Sequence, residues 1–314
     1  MAISSKAIAL ILVCTCVGFS YPIYAEQTTS ARTLNYGVIS SKPNKRIKDS
    51  YPLFSYVAKQ LADSGFEGAQ VHVYSSIDEL SSDLQSGRID LVSSTIYPAL
   101  LLKNKAQAQP FLVRWKKGEA SYSSVFVANN RQRYNDLSEL QGKVIGFEDR
   151  NSTSGYFLPM VTLLNQGLEV QHITSAQQQP DSDKIGYFFF DDRLRETNEV
   201  NMSMWAAKGK VDAIAYSSSN WTNPKDTPAA LKQRLHMFAQ TGHYPRSIIS
   251  VSSKLDPAVA EKLRSVLLNL DQSDMGKKVL QSYQETKRFS VIDSNAEKLL
   301  DEAEQLLSQF EEQK

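Results

Sequence analysis

Phe147-Glu148-Asp149-Arg150-Asn151-Ser152-Thr153-Ser154-Gly155-Tyr156-Phe157-Leu158-Pro159 lies where an apolar run, Val144 to Phe147, gives way to a helical pattern from about Ser154 to Gln166. A strand that turns into a helix across three adjacent hydroxyls is the building unit of an α/β fold, and the turn has a chemistry of its own. The first N–H groups of a helix have no partner inside it and carry the positive end of its dipole. Ser152, Thr153 and Ser154 at that point therefore make a donor-rich pocket suited to a small oxyanion. Gly155 lets a ligand approach the backbone, and Tyr156 either closes one side of the pocket or buries itself. Hydroxyls and amides hold an anion by hydrogen bonds, without the strong ion pair of a lysine cluster, which keeps release easy. The plainer reading is that one hydroxyl caps the helix and nothing more. Arg150 has three readings, a bidentate bond to a ligand oxygen, an ion pair with Glu148 or Asp149, or the plainer one of a solvated arginine in a surface loop. Asp149 either accepts the proton of a monoprotonated oxyanion or serves as a turn residue.

Upstream of this turn, Leu34 to Ile39, Val71 to Tyr74 and Ile89 to Ser93 read as strands, with helices at Tyr51 to Leu61 and Ile77 to Gln85 between them. After a β-rich stretch from Phe111 to Ala128 the alternation repeats, through a helix at Leu137 to Leu140, the strand and helix already described, a helix at Val200 to Ala207 and a strand at Ala213 to Tyr216. This order predicts an α/β fold with mostly parallel sheet, built twice. Gly87-Arg88-Ile89-Asp90-Leu91 and Gly209-Lys210-Val211-Asp212-Ala213 occupy the same place in the two series. In each, glycine suits the left-handed residue that ends a helix, and the aspartate opens a strand at its wet end. A strand at Ser247 to Ser252, a helix at Pro257 to Leu270 capped by Asp256, and an amphipathic helix at Asn295 to Glu312 follow. The organisation expected is one lobe from residues 30–126 plus 247–314 and a second from 127–246. Chain crossings fall near Tyr122 to Val127 and His243 to Ile248, with a ligand cleft between the lobes. The last helix, with its stripe of Leu299, Leu300, Ala303, Leu306, Leu307 and Phe310, is expected to pack on the first lobe.

Lys6, the apolar run Ala7 to Phe19 and the small residues to Ala25 have the layout of a secretory signal peptide over residues 1–25. Cys14 and Cys16 fall inside it, so its removal leaves neither a disulfide nor a reactive thiol. The chain carries 35 basic and 34 acidic side chains, and loss of Lys6 makes the remainder formally neutral. That balance excludes a broad nucleic-acid or anionic-membrane surface, and any anion must be bound locally. His72, His172, His236 and His243 show no metal-ligand spacing, and no G-x-S-x-G elbow appears, so neither metal, cofactor nor catalytic residue is expected.

The Ser152 to Tyr156 string resembles the STSGY signature of the PhnD-like family of periplasmic phosphate, phosphite and phosphonate binding proteins. Asp49-Ser50-Tyr51-Pro52-Leu53 is similar to a helix start in that family, Gly87 to Ser93 to its first Gly-x-x-Asp strand, Tyr122 to Val127 to its hinge strand, and Gly209 to Trp221 to a second-lobe segment. The resemblance implies a two-lobed type II solute-binding fold and a periplasmic monomer that performs no chemistry. Such a protein delivers a small oxyanion, a phosphonate, phosphite or phosphate, to a membrane ABC permease. It also implies that Ser152, Thr153, Ser154 and Gly155 hold the oxyanion, that Tyr51, Thr95 and Tyr97 contribute from the first lobe, and that Glu199 and Asp212 contribute from the second, with Arg150 an added candidate. The chain departs from the family's pattern at Arg150, where Pro is usual, at Ser93-Ser94-Thr95-Ile96, which lacks a Gly-Pro, and in the long polar segment 177–195. Two alternatives stand beside this reading. One keeps the fold with a different small ligand, or with a sensory role before a membrane kinase; the other is a secreted hydrolase using the Ser152 or Ser154 hydroxyl.

Overall fold

The computed structural model describes residues 31–194 and 198–312. The expected leader at 1–25, with Cys14 and Cys16, lies outside them, as does Arg195 at the end of the long polar segment.

Two six-stranded sheets form the frame. From edge to edge the first contains Thr286–Ser290, Gln109–Lys116, Ile248–Val251, Leu91–Ser94, Arg32–Ile39 and Phe66–Tyr74. The second contains Leu235–Gln240, Ser124–Asn129, Ala213–Ser217, Val144–Phe147, Lys184–Phe189 and Glu169–His172. In both, the strands joined by helical crossovers run parallel and one antiparallel strand is inserted beside them; in the first sheet the edge strand Thr286–Ser290 is antiparallel as well. That strand is lent by the other half of the chain: Ile248–Val251 follows the second series in sequence, and Ser124–Asn129 precedes it. The segments leading to them, Ser121–Tyr122 and Tyr244–Pro245, pair with each other in a small two-stranded sheet, so the two crossings are hydrogen-bonded into one connection.

The duplication is physical as well as topological. Asp90 Oδ2 accepts from the Asn35 backbone N–H at 2.7 Å while the Asp90 N–H donates to the Asn35 carbonyl at 2.9 Å. Asp212 makes the same pair of bonds to Val144, at 2.9 and 3.0 Å. Each aspartate thus ties its strand to a parallel neighbour in its own sheet. Gly87 and Gly209, at φ of 77° and 67°, supply the left-handed turn before it, as their sequence position predicts. The expectation that both carboxylates stay wet fails at Asp90, which is buried at 7% exposure.

Helix Pro43–Gln60 starts two turns before the expected Tyr51, with Pro43 in the first turn, where its fixed φ suits a helix start. Pro52 lies inside it, and Ser50, Leu53, Phe54, Val57 and Ala58 form the buried face. Helix Ile96–Ala106 escapes a periodicity reading because Ile96 to Leu100, Leu102 and Ala106 are all buried, leaving no polar face to set the period. The amphipathic helix Ser294–Glu312 packs on both lobes, not on the first alone. Lys103 of Ile96–Ala106 pairs with Glu304 at 2.7 Å, while Phe310 meets Tyr97 of the first lobe and Tyr156 and Phe157 of the second edge-to-face.

Candidate functional site

In open α/β sheets, ligands sit beyond the carboxyl ends of the parallel strands, where backbone N–H groups at helix starts face outward. Here that edge carries Ser94 and Thr95 from the first lobe, and Glu148 to Ser154 with Ser217 to Asn220 from the second. The Thr153–Phe157 turn is a π-helix, in which Phe157 N–H reaches the Ser152 carbonyl at 3.0 Å. Single π turns of this kind cluster at functional sites. Ser152 caps it by accepting from Gly155 N–H at 2.9 Å, and donates its own hydroxyl to Glu148 Oε2 at 2.8 Å. Glycine is required at 155, since a Cβ there would lie 2.7 Å from the Glu148 Cβ and 2.9 Å from Ser152 Oγ.

Thr153 is buried at 1% and joins the lobes. Its oxygen accepts from Tyr97 N–H at 2.9 Å and donates to Thr95 Oγ1 at 2.8 Å. It therefore caps helix Ile96–Ala106 from across the cleft, a place that Thr95 leaves without a side-chain cap. This commits the Thr153 hydroxyl to closure, whereas Ser154 stays part-exposed and its hydroxyl stands with that of Thr153 toward the phenol of Tyr122. A second contact across the cleft joins Ser219 Oγ to Glu119.

Facing the turn is a wall of cations that the hydroxyl-only reading does not anticipate. Lys116 lies deep in the cleft with part of its surface open. Burial, and then the charges of Arg246, Arg114 and Arg46, push its ammonium well below the usual lysine range. Arg246 is 8% exposed, stacks on the Tyr122 ring at 4.4 Å, and reaches Glu119 only at 3.6 Å, which leaves its buried Nε without a hydrogen bond. The Tyr122 oxygen and Ser94 Oγ are also buried and unpartnered. Two buried donors, Arg246 Nε and Ser94 Oγ, thus have no acceptor from the protein, and the Tyr122 phenol has only the Ser154 and Thr153 hydroxyls near it, an arrangement that a bound acceptor would satisfy. Arg114 is held differently, by bonds to Thr286 Oγ1, the Tyr283 carbonyl and Gln284. The signal in the sequence is a charged residue inside an apolar strand run, Arg114 in Phe111 to Trp115 and Arg246 before Ser247 to Val251.

On the opposite side Glu148 is pushed up to about 8 by burial, then by Asp149 and Glu199, against Ser152 and Lys116. Its carboxyl is thus largely neutral near pH 7, and of Arg46, Lys116 and Arg246 only Arg246 has a carboxylate within ion-pair distance among the described residues, Glu119 at 3.6 Å. Asp149 takes the turn role, its Oδ1 accepting from Asn151 N–H at 2.7 Å.

The remaining residues expected at the site divide. Glu199 is near Glu148 but is held by Asn220 Nδ2 at 2.8 Å. Asp212 lies at the amino end of its strand, away from the cleft, with the structural role described above. Arg150 turns away from the cleft, forming a bidentate pair with Asp192 at 2.9 Å for both bonds and lying 4.3 Å over the Phe189 ring. Its hydrogen-bond partner is thus Asp192 at the next strand's end, not Glu148 or Asp149, although its charge still favours the ionised form of Asp149. Tyr97 offers its backbone N–H to the site, while its ring stacks on Phe157 at 4.6 Å, outside the cleft. Tyr51 stands 48% exposed on the helix that carries Arg46. Among the described residues no group of three or more His, Cys, Asp or Glu is placed to hold a metal, and no helix is long and apolar enough to cross a membrane.

Two lobes with exchanged strands, and a cleft that gathers helix starts from both, define a two-lobed binding protein of the type II class. A model of the periplasmic substrate-binding proteins of phosphonate ABC transporters matches residues 36–297, and the chain belongs to that family. The family consists of substrate-binding proteins, not enzymes. Among its curated relatives, the probable ABC transporter phosphite binding protein PhnD1 of Prochlorococcus marinus is 24% identical over 194 residues, 59% of this chain and 60% of that protein. XAC2383 from Xanthomonas citri, solved with chloride, superposes with a TM-score of 0.84 at 26% identity over 90% of this chain and 99% of its own. The same protein has been solved with ATP, at a TM-score of 0.83 and 26% identity over 89% of this chain and 98% of its own. PhnD1 in complex with methylphosphonate shares the fold, at a TM-score of 0.62 and 20% identity over 88% of this chain and 98% of its own.

Proposed function

We propose that this chain is the solute-binding component of an ABC transporter, and that it carries a phosphorus oxyanion in the cleft between its lobes. The carrying observation is the pairing of a cationic wall, Arg46, Lys116 and Arg246, whose one ion pair is the loose Arg246–Glu119 contact of 3.6 Å, with the hydroxyl-bearing helix start at Ser152 to Ser154. The oxyanion is held by the Ser154 hydroxyl, the free N–H groups of the turn, the Tyr122 phenol and the cations. In this reading residues 1–25 are removed on export, the lobes at 30–126 plus 247–314 and at 127–246 close about the paired crossings, and the closed form is what a membrane permease recognises. No residue acts as a nucleophile, since Ser152 Oγ has a glutamate, not a base–orienter pair, as its partner.

A second reading makes the phosphorus group part of a larger ligand. It draws on XAC2383, solved with ATP, and on the exposed Ile47 and Tyr51 beside Arg46. One thermal-shift series separates the two, because a ligand that binds only the folded state raises the melting temperature. Phosphate, phosphite, methylphosphonate or aminoethylphosphonate at about 100 times its dissociation constant is expected to raise it by roughly 5–10 °C. A rise with ATP and none with the small compounds favours the second reading. A rise with sulfate equal to that with every phosphorus compound overturns the phosphorus assignment.

A further inference from the structure

We propose that Glu148 serves the complex as a protonated carboxyl, donating a hydrogen bond to the bound oxyanion, so that capture of the anion is coupled to uptake of a proton. The proposal rests on the oxyanion reading of the cleft. Glu148 directly follows Val144–Phe147, and its backbone is pinned on both sides, its N–H to the Gly155 carbonyl at 3.0 Å and its carbonyl to Asp191 N–H at 3.3 Å. The side chain packs under the π turn, where a Cβ on Gly155 would lie 2.8 Å from Oε2. Oε2 takes the Ser152 hydroxyl at 2.8 Å, which leaves Oε1 to carry the proton.

An ionised carboxylate in that place would stand beside the anion, and like charges at such range disfavour ionisation. The groups around Glu148 reinforce this. Asp149 of its own segment and Glu199 of helix Glu199–Ala207 both oppose its charge, and Tyr122 of the crossing faces it as well. The Ser152 hydroxyl bond and Lys116 from the first lobe favour the ionised form, but they are outweighed, and that ammonium is itself pressed toward neutrality. The free carboxyl titrates at about 8. Below that pH it already holds its proton, and binding proceeds at full strength. Above it the anion must bring a proton in, and apparent affinity falls with the protonated fraction, by about tenfold one unit higher.

The test is titration calorimetry with methylphosphonate from about pH 6.5 to about pH 9, in buffers of differing ionisation heat, on the wild type, Glu148→Gln and Glu148→Ala. The ligand's own titration and any protonation of Lys116 are common to all three and cancel in the comparison. The ratio of wild-type to Gln affinity is expected to fall about tenfold between pH 7 and 9, with about half a proton more taken up by the wild type near pH 8. The Ala variant, with no donor, is expected to bind more weakly than the Gln variant at every pH. A constant ratio, equal proton counts, or a Gln variant no better than Ala overturns the proposal while leaving the oxyanion reading intact. Absence of methylphosphonate, phosphate and phosphite binding by the wild type at every pH overturns both.

Discussion

Replacing Arg246 with alanine is expected to weaken methylphosphonate binding by about 2–5 kcal/mol, or roughly 30- to 5,000-fold, with the loss mostly in the dissociation rate. The size follows from where the guanidinium sits. The residue is 8% exposed, with its guanidinium carbon 4.4 Å from the Tyr122 ring centroid and a buried Nε without a hydrogen bond. Most of its desolvation is therefore already met in the free protein, and a ligand gains a charge-assisted bond while stripping little water from the arginine. Arg246→Lys retains the charge but not the planar fork or the stacking, and is expected to recover only part of the affinity. Calorimetry on the three proteins, with melting curves to confirm folding, decides the matter. Binding by Arg246→Ala within about threefold of wild type would remove this residue from the site.

Arg114→Ala is expected to cost about 3–5 kcal/mol of stability, read from the midpoint of urea unfolding. This arginine is the joint between Gln109–Lys116 and the chain at 283–286. Its Nε donates to Thr286 Oγ1 at 2.8 Å and its Nη2 to the Tyr283 carbonyl at 2.9 Å, and its guanidinium covers the Tyr283 ring at 3.8 Å. Tyr283 in turn shares a hydroxyl bond of 2.7 Å with Tyr36 and packs edge-on against Phe54, which stacks on Tyr36 at 4.0 Å. Truncation removes two buried hydrogen bonds and leaves a void against the Tyr283 ring. A loss below about 1 kcal/mol would mean that this network is not the anchor the contacts describe.

The two arginines also mark where the sequence was hard to read. Alternation and glycine placement are local signals, so the duplicated α/β order and the left-handed Gly87 and Gly209 were legible. The equivalence of Asp90 and Asp212 is legible only once both are seen to bond the neighbouring strand, because a five-residue likeness does not distinguish a ligand from a brace. The Ser152 to Ser154 turn was visible because its residues are contiguous. The cationic wall was not, since Arg46, Lys116 and Arg246 come from three separate segments and meet only through the strand exchange. Arg150 misled for the opposite reason: it adjoins the motif in sequence, but the partner that holds it, Asp192, lies 42 residues on. Tyr97 reaches the second lobe through its backbone, not its ring, by the bond to Thr153, a contact that residue type does not reveal.

The most direct test of the whole account is a crystal structure of the protein with methylphosphonate. The account predicts one phosphorus centre per chain in the cleft, within hydrogen-bond distance of Ser154, Tyr122 and Arg246, with Thr153 still bonded to Thr95 and Tyr97. Occupancy elsewhere, as in the aromatic groove between Arg150, Tyr156 and Tyr187, with the cleft left unfilled, would contradict it.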